Sequence, residues 1–403
     1  MIITVTPNPA LDLTWHVDAL VVGGTHRADA GRARAGGKGL NVARVAHAEG
    51  ARVRAVTTAG GTTGAEFGEE LTTSGVPHAL VSVAGATRRS IALVDEALGD
   101  TTIVNERGVA PTDAEWQALH AAVARELGVT GGVAGWPSGA DTPDVGPFTA
   151  SGPTSGVSAT GSSPVAQSRA GVLVISGSLP PHTPAYVLPS LIALGRAAGV
   201  EVIVDTSGPA LLAAADAGAA VLKPNEHELR DATGLDDPID GARELIRRGA
   251  RLVLLSLGVD GMLAVSPADP APADPVSVDQ ASGASAAAPA VEVLHARLDE
   301  SLRGNPTGAG DAGVAACAVL LDAGIRDPEQ ILRRATAWSA AAVLMPLAGE
   351  IHPSWPDLER ALTVTRLPSA TLETPVPARD VRSDVPSPAA TQVSPPTHPK
   401  EPR

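Results

Sequence analysis

Cysteine is almost absent from this chain, because Cys317 is the only one among 403 residues. A single cysteine excludes an intrachain disulfide and a zinc site built from several thiolates. Aromatic residues make up only 2% of the sequence, so a buried core has to be built mainly from alanine, valine and leucine. Cys317 lies in an apolar run, where the expected role is that of a small buried side chain.

Basic charge and long apolar runs are also scarce. Lysine and arginine number 30 against 44 acidic residues, which gives a formal net charge of −14. This balance disfavours nucleic-acid binding, which needs a positively charged surface. No apolar run approaches the roughly 20 residues that cross a membrane, and no basic segment precedes the first apolar residues, so no signal peptide is expected. The sequence therefore predicts a cytoplasmic protein that binds neither nucleic acid nor membrane.

Short apolar runs alternate with helical patterns along the chain. The runs predict buried strands at 2–5, 172–175, 202–204, 220–222 and 252–255. Helices are predicted at 113–127, 184–198, 209–217, 225–233 and 237–248. This alternation is typical of a parallel sheet covered by helices on both faces, with ligands at the carboxyl ends of the strands. More polar stretches at 13–34 and 87–104 predict strands of a second, small sheet.

Three segments lack any periodicity and are rich in glycine, proline, serine or alanine: 131–169, 266–290 and 368–403. Such segments bury too little apolar surface to offset the entropy lost on ordering the chain. We expect two disordered insertions and a disordered proline-rich tail. The folded domain is accordingly predicted to span 1–367.

The glycine-rich segment Gly304–Asp311 precedes an apolar run, 312–321, that predicts a buried helix. The first amides of a helix lack intrahelical partners and carry partial positive charge, so they can hold phosphoryl oxygens. The Asp311 carboxylate would repel a bound phosphate, but it suits a group that accepts a proton from an attacking hydroxyl. An ordinary helix cap is the alternative interpretation, because aspartate is favoured at that position.

A second glycine-rich segment, 36–44, also opens a predicted helix. Apolar residues within and just after it have the spacing of a buried helix face. Lys38 and Asn41 would lie near the first turn, where an ammonium and an amide suit a polyhydroxylated, anionic ligand. A tight loop with a solvated lysine is the alternative.

Five segments together resemble the ribokinase-like (PfkB) carbohydrate kinases. They read MIITVTPNPALD at 1–12, AGGKGLNVAR at 35–44, KPNEHEL at 223–229, SLGVDG at 256–261 and GNPTGAGDA at 304–312. The opening NPALD and the GGKGxNVAR form are similar to the branch that contains 1-phosphofructokinase and tagatose-6-phosphate kinase. The resemblance covers 1–130 and 170–365. It implies a ribokinase-like three-layer α/β/α sandwich with a central, mostly parallel sheet and a small β-sheet lid.

The resemblance assigns roles to individual residues. Asp311 is implied as the catalytic base, with the amides of Gly308, Ala309, Gly310 and Asp311 forming an anion hole for the transferring group. The family often has serine or threonine after this aspartate, whereas this sequence has Ala312. We expect the base to be unaffected by this difference, although a hydroxyl contact is lost.

Substrate contacts are implied near the amino terminus. Asp12 is similar to the sugar-binding aspartate, since a carboxylate can accept bonds from two hydroxyls. The remaining implied sugar and phosphate contacts are Gly36, Gly37, Lys38 and Asn41. Arg88 lies where this branch has an arginine for the phosphate already on the substrate. The neighbouring Arg89 leaves open which of the two faces inward, and Arg27 is a weaker candidate of the same kind.

The nucleotide side is implied by two later segments. Lys223 is expected near the nucleotide phosphates, and Asn225 and Glu228 are expected to hold Mg²⁺ through water, because Mg²⁺ keeps several waters and needs few carboxylates. The loop that contains Ser256, Gly258 and Gly261 is similar to the one that lines the ATP site, with a plain hairpin turn as the alternative. Participation of a monovalent cation is left open.

The predicted function is ATP-dependent phosphorylation of a ketohexose phosphate, with D-fructose 1-phosphate as the first choice of substrate and fructose 1,6-bisphosphate as the product. Tagatose 6-phosphate and fructose 6-phosphate are alternatives within the same reaction class. A sugar-phosphate sensor without catalytic activity is an alternative from another class. Related enzymes often dimerise through the small sheet, so a homodimer of this kind is also predicted.

Overall fold

The computed structural model describes residues 1–129, 170–268, 290–300 and 302–368. The insertion predicted at 131–169 lies outside the described residues, as do most of the one predicted at 266–290 and nearly all of the tail. The predicted start of the second insertion was wrong. Ser266 and Pro267 continue a strand, because they pair with Glu292 and Val291 of the next strand.

The described residues form fourteen strands and ten α-helices. The strands are β1 (Ile2–Thr6), β2 (Ala10–Val17), β3 (Arg32–Gly36), β4 (Val53–Ala59), β5 (His78–Ser82), β6 (Arg88–Asp95), β7 (Asp100–Asn105), β8 (Val172–Ser176), β9 (Glu201–Asp205), β10 (Val221–Leu222), β11 (Leu252–Ser256), β12 (Met262–Pro267), β13 (Val291–Arg297) and β14 (Thr363–Leu367). The helices are α1 (Lys38–Ala48), α2 (Gly61–Thr73), α3 (Asp113–Leu127), α4 (Val187–Ala197), α5 (Pro209–Asp216), α6 (Glu226–Thr233), α7 (Pro238–Arg248), α8 (Ala309–Asp322), α9 (Pro328–Val343) and α10 (Trp355–Ala361).

Ten of the strands form one large sheet in the order β14-β13-β12-β11-β10-β9-β8-β1-β4-β5. The pairs from β11 to β5 are parallel, whereas β11 to β14 pair antiparallel at the other edge. Parallel strands in one sheet place their carboxyl ends at a common edge, which is where the polar segments after β1, β8, β9 and β10 meet. The antiparallel edge was not among the predicted features.

The large sheet is buried on both faces, because successive side chains of a strand point to opposite sides. In β1, Ile2 packs in the apolar cluster of α1, α2, α8 and α9, whereas Ile3 packs in the cluster of α3, α4, α5 and α7. Val172 and Leu173 of β8 divide in the same way. Two helical layers around a central sheet confirm the predicted α/β/α class.

A second sheet has four strands in the order β3-β2-β6-β7, and we call it the lid. It contains the strands predicted within 13–34 and 87–104, although β2 begins earlier, at Ala10. Asp12 of β2 lies opposite Arg34 of β3, and Ala10 lies opposite Arg88 of β6. Since residues two apart share a face of a strand, Asp12, Arg34 and Arg88 lie on one face of the lid.

Within the described part of the chain, no helix combines the length and apolar character needed to cross a bilayer.

Candidate active site

The turn before α8 has the backbone that a close approach to a ligand requires. Gly308 caps the helix with φ of +86°, in the left-handed region that favours glycine. A methyl group at this position would lie 2.8 Å from Cα of Ala348. Ala309, Gly310 and Asp311 form the first turn of α8, so their amides have no partner within the helix.

Asp311 joins the two glycine-rich segments through Asn41, from which it is 270 residues away in sequence. The Asn41 side-chain amide in α1 donates a hydrogen bond of 2.8 Å to Asp311 Oδ2, and both side chains are buried. Helix α1 begins at Lys38, directly after Gly37 with φ of +123°, and packs against α8. The first turns of two helices, one from each end of the sequence, therefore share one site.

The Asp311 carboxyl is suited to hold a proton near neutral pH. Its burial raises the pKa to about 7, and the nearby charge of Asp205 adds to this effect, whereas Lys38, the Asn41 bond and Lys223 oppose it. A carboxyl with this pKa is a stronger base than an exposed aspartate, and it is still substantially ionised at physiological pH. The arrangement can accept a proton from a hydroxyl placed beside it.

Lys38 faces the centre of the site. Its Nζ lies 3.2 Å from Asp205 Oδ1 and 3.5 Å from Glu228 Oε1. The Asp205 charge raises the Lys38 pKa above its usual value, so the ammonium stays charged. Lys38 and Arg88 have different acidic neighbours, because the groups that influence Arg88 are Asp12 and Glu106.

Asp205 and Lys223 complete a buried group of charges at the carboxyl edge of the sheet. Asp205 ends β9 and accepts a 2.9 Å hydrogen bond from the Ser176 hydroxyl. Burial opposes its ionisation, but Lys38, Lys223 and the serine bond outweigh burial and lower the Asp205 pKa. Burial lowers the Lys223 pKa, and its ammonium donates to the Ser256 hydroxyl at 2.8 Å.

Lys223 also lies directly beside the turn of α8. A methyl group at Gly310 would be 3.2 Å from Lys223 Nζ, so only glycine leaves the ammonium undisturbed there. An ammonium next to unpaired helix amides attracts an anion more strongly than either feature alone. This contact fits the expectation that Lys223 lies near phosphates.

Asp12 lies on the lid face that carries Arg34 and Arg88, and Arg44 of α1 is also close enough to affect its charge. Burial raises the Asp12 pKa to about 6, while the charges of Arg88, Arg34 and Arg44 oppose this shift. A methyl group at Gly36 would come within 1.8 Å of Asp12 Oδ2, so the segment needs glycine at this point. The Asp12 carboxylate is therefore held against the Gly36 backbone, where it can accept bonds from sugar hydroxyls.

Of the two adjacent arginines, Arg88 is the one that faces inward. It lies on the Asp12 face of the lid, and its guanidinium donates to the carbonyls of Asn8 at 3.3 Å and of Glu106 at 3.1 Å. Arg89 is exposed on the other face. Arg27 is exposed in the connection between β2 and β3, and among the described residues no hydrogen bond or ion pair joins it to the site.

Asn225 and Glu228 form a capping box at the start of α6. The Asn225 side chain accepts from the Glu228 amide at 2.8 Å, and Glu228 Oε2 accepts from the Asn225 amide at 3.0 Å. Oxygen donors of this kind suit Mg²⁺, but the described residues contain no group of three acidic, histidine or cysteine residues that could hold a metal alone. The two residues therefore fit Mg²⁺ held largely by water and phosphate oxygens.

The Ser256–Gly261 segment is the turn of the hairpin between β11 and β12, with a single 3₁₀ turn at Gly258–Asp260. Gly258 and Gly261 both have positive φ, at +60° and +92°. A methyl group at Gly261 would lie 2.1 Å from the Ala296 carbonyl oxygen. Both glycines are thus explained by the turn itself, and Ser256 is the member that contacts the site through Lys223.

Sequence reasoning missed several residues that the structure brings to the site. Asp205 was not predicted as a site residue, yet the charges of both Lys38 and Lys223 act on it. Arg44 donates to the Ala35 carbonyl at 3.0 Å and to Glu70 at 2.8 Å. These bonds fix the backbone directly before the glycine-rich segment 36–44. A sequence signal existed for each residue. Asp205 is a charged residue at the carboxyl end of an apolar strand, and Arg44 is a charged residue within an otherwise apolar helix face.

Comparisons with known proteins show what this chain is similar to. The sequence model of the pfkB family carbohydrate kinases matches residues 6–127 and 164–355. The 1-phosphofructokinase of Xanthomonas campestris is 32% identical over 361 residues, which cover 87% of this chain and 93% of that protein. The ATP-dependent 6-phosphofructokinase isozyme 2 of Mycobacterium tuberculosis is 31% identical over 268 residues, which cover 65% of this chain and 67% of that protein.

A solved structure is also similar over most of its length. Phosphofructokinase-2 from Escherichia coli in complex with substrates and products aligns with a TM-score of 0.66 and 26% identity. The match covers 89% of this chain and 97% of that one.

Proposed function

Since this chain belongs to the pfkB family of carbohydrate kinases, we propose that it transfers the γ-phosphoryl group of ATP to the C6 hydroxyl of D-fructose 1-phosphate. The product would be fructose 1,6-bisphosphate. Kinase activity on a sugar phosphate follows from the relatives of known function. The choice of fructose 1-phosphate, and the role of each residue, belong to the proposal.

The observation that carries the proposal is the 2.8 Å hydrogen bond between Asn41 and Asp311. It brings the amino-terminal residues suited to a sugar next to the helix turn suited to a phosphoryl group. Phosphoryl transfer needs positioning and charge stabilisation more than covalent chemistry. One site that holds both reactants in contact supplies that positioning.

Asp311 acts as the general base in this mechanism. Its carboxylate accepts the proton of the attacking hydroxyl as the oxygen bonds to phosphorus, and the phosphoryl group leaves ADP. The amides of Gly308 to Asp311 and the Lys223 ammonium stabilise the negative charge on the transferring group. Lys38 is held by Asp205 and Glu228. Its ammonium offsets part of the negative charge of the transferring phosphoryl group.

The sugar is oriented from the lid. Asp12 accepts hydrogen bonds from sugar hydroxyls, and Gly36 and Gly37 let the backbone approach the ligand. Arg88 offers its guanidinium to the phosphate already on the sugar, because a planar fork of donors matches phosphate oxygens. Arg88 and the Asp311 turn contact different parts of the site, as a substrate with separate phosphate and hydroxyl ends requires.

The nucleotide is bound at the edge formed by β10 and β11. Glu228 and Asn225 would hold Mg²⁺ through water, and the ion would supply positive charge that offsets the charge of the phosphates. Lys223 and Ser256 contact the phosphates. The Gly258–Gly261 turn borders the nucleotide.

Three alternatives to this function are another substrate, either fructose 6-phosphate or tagatose 6-phosphate, and a protein without catalytic activity. Fructose 6-phosphate is favoured as a substrate by the similarity to 6-phosphofructokinase isozyme 2, and tagatose 6-phosphate would use the same groups. A catalytically inactive sugar-phosphate sensor would keep the fold, but it has no need for a buried base beside the anion-binding turn.

An ADP-release assay against a panel of phosphorylated and unphosphorylated hexoses tests the proposal. We expect fructose 1-phosphate to give the highest kcat/KM, with unphosphorylated fructose far lower. A maximum with fructose 6-phosphate or tagatose 6-phosphate would overturn the choice of sugar. Tight sugar-phosphate binding without ADP release would support the sensor instead.

A further inference from the structure

Asn8 is a buried polar residue that the mechanism above does not use. It lies between β1 and β2, in the connection that joins the large sheet to the lid, and it is flanked by Pro7 and Pro9. Only 9% of its surface is exposed. A buried side-chain amide needs hydrogen-bond partners, and the identity of those partners indicates what the residue does.

The Asn8 side chain connects three separate segments of the chain. Its Nδ2 donates to the Arg107 carbonyl oxygen and to the Ser178 hydroxyl, both at 3.2 Å. Arg107 follows β7 of the lid, whereas Ser178 follows β8 of the large sheet. Both protons of the amide are therefore used to hold the lid loop against the edge of the sheet.

The same segments hold the Arg88 guanidinium. The Asn8 carbonyl oxygen accepts from Nε and Nη2 of Arg88, each at 3.3 Å, and the Glu106 carbonyl accepts from Nη1 at 3.1 Å. Glu106 directly precedes Arg107, which the Asn8 amide holds. One residue thus fixes both carbonyls that set the direction of the guanidinium fork.

The lid loop approaches Asn8 so closely that a side chain is not tolerated. Gly108 has φ of +84°, and a methyl group there would lie 2.6 Å from Asn8 Oδ1. A cavity bounded by Asn8, Arg88 and Gly108 lies at this junction. The tight fit means that the amide has one position, and that the loop moves if the amide moves.

We propose that Asn8 is a positioning residue for recognition of the phosphate already on the sugar. It acts through Arg88, by holding the Asn8 and Glu106 carbonyls in the places that direct the guanidinium into the site. The inference rests on the proposed role of Arg88. Preorganised donors bind more tightly because no freedom is lost on binding, so loosening them weakens phosphate binding without affecting the nucleotide.

The test is Asn8→Ala, which removes the side-chain bonds but keeps the backbone carbonyl. We expect the KM for fructose 1-phosphate to rise about fivefold to tenfold, the value for one or two lost hydrogen bonds. The KM for ATP and the competitive inhibition constant of unphosphorylated fructose should not change. Thr336→Ala is the matched control, because its equally buried hydroxyl donates only to the Leu332 carbonyl of its own helix.

A second variant, Gly108→Ala, tests the same inference if Asn8→Ala does not fold. In Gly108→Ala the added methyl clashes with Asn8 Oδ1 at 2.6 Å and reaches Arg88 Cδ at the milder distance of 3.3 Å, so the variant chiefly displaces the amide without removing it. Gly99→Ala is its control, since Gly99 has a similar φ of +71° with open space around it. Gly108→Ala should reproduce the selective rise in KM, and Gly99→Ala should not. Equal changes with fructose 1-phosphate and fructose, or no change in either, would overturn the inference.

Arg88→Ala, measured in parallel, separates the positioning role of Asn8 from the phosphate contact of Arg88. If Arg88→Ala raises the KM for fructose 1-phosphate and Asn8→Ala and Gly108→Ala do not, the positioning role of Asn8 is wrong and the role of Arg88 stands. If Arg88→Ala has no selective effect, the proposed phosphate contact is itself wrong, and the inference falls with it.

Discussion

At the scale of single residues, the site is defined by buried charges that shift each other's protonation. Burial raises the pKa of Asp311 to about 7 and that of Asp12 to about 6. Lys38 and Asp205 instead favour each other's charged forms. Perturbed groups of this kind gather at functional sites because catalysis needs a base that titrates near the working pH.

The pH dependence of kcat/KM follows from these values. Asp311 has a raised pKa, so it gains its proton as the pH falls through about 7, and a protonated carboxyl cannot act as a base. We expect kcat/KM to fall about tenfold for each unit below pH 7, and more steeply below about 6 where Asp12 is also protonated. A rate profile that stays flat from pH 8 to pH 5 would contradict this assignment.

At the scale of secondary-structure elements, two helix starts from distant parts of the chain form the site. Each follows a glycine with positive φ, Gly37 before α1 and Gly308 before α8. The residues of the first turns, rather than the helices as a whole, carry the chemistry. The geometry of these turns should therefore control activity more strongly than helix stability does.

Gly308→Ala tests this expectation. Both Gly308→Ala and Gly50→Ala place a side chain at positive φ, +86° and +81°, and this backbone conformation alone should cost each about 1 kcal/mol of folding free energy. Only Gly308 is crowded, by Ala348, so only there must the anion-binding turn shift. A shift approaching 1 Å can cost about 100-fold in rate.

Steady-state kinetics and thermal unfolding of both variants provide the measurement. The expected result is a large loss of kcat in Gly308→Ala beside nearly normal kcat in Gly50→Ala, with Gly308→Ala at least as destabilised as Gly50→Ala but still folded at the assay temperature. Similar values of kcat in the two variants would show that the turn has no special role.

The sequence predicts an element well when the residues that determine it are close in sequence, and poorly when they are distant. The helix predicted at 113–127 has the observed bounds of α3, because its capping box and its Gly128 end signal are local. The antiparallel edge of β12 to β14 was not predicted, because strand direction is set by pairing with distant segments. Ser266 and Pro267 were placed in an insertion because their composition resembles a loop, but β13 supplies their pairing partners.

The candidate site also combines features that the sequence predicts with features that depend on distant contacts. Motif resemblance pointed to Asp311, Asn41 and Lys223, and the structure brings them together. It could not show that Lys38 pairs with Asp205, since the direction of a long side chain depends on which charges lie around it. Asp205 is the acidic last residue of β9, and this signal alone does not distinguish a site residue from an ordinary charged strand end.

At the scale of the whole molecule, the lid connects the sugar side of the site to an exposed surface. All six residues of its edge strand β7 are exposed, including Ile103 and Val104. An edge strand with free backbone groups and exposed apolar side chains can pair with another chain. We propose that a second copy of this chain covers it.

Sedimentation velocity checks this proposal. The wild-type protein should sediment as a dimer of the 40.4 kDa chain, and the double variant Ile103→Asp, Val104→Asp should sediment as a monomer. Leu235→Asp is the control, because Leu235 is also exposed but lies after α6, outside the lid. A wild-type monomer, or a dimer that survives the double substitution, would contradict an interface at β7.

The claim on which the whole account depends is that Asp311 removes the proton from the attacking hydroxyl. The most direct test is the kcat of Asp311→Asn, with Asp322→Asn at the opposite end of α8 as the control. We predict a loss of about 10²- to 10⁴-fold, the usual contribution of a general base, with ATP affinity retained and the control near the wild-type rate. An Asp311→Asn enzyme that turns over at the wild-type rate would contradict the account.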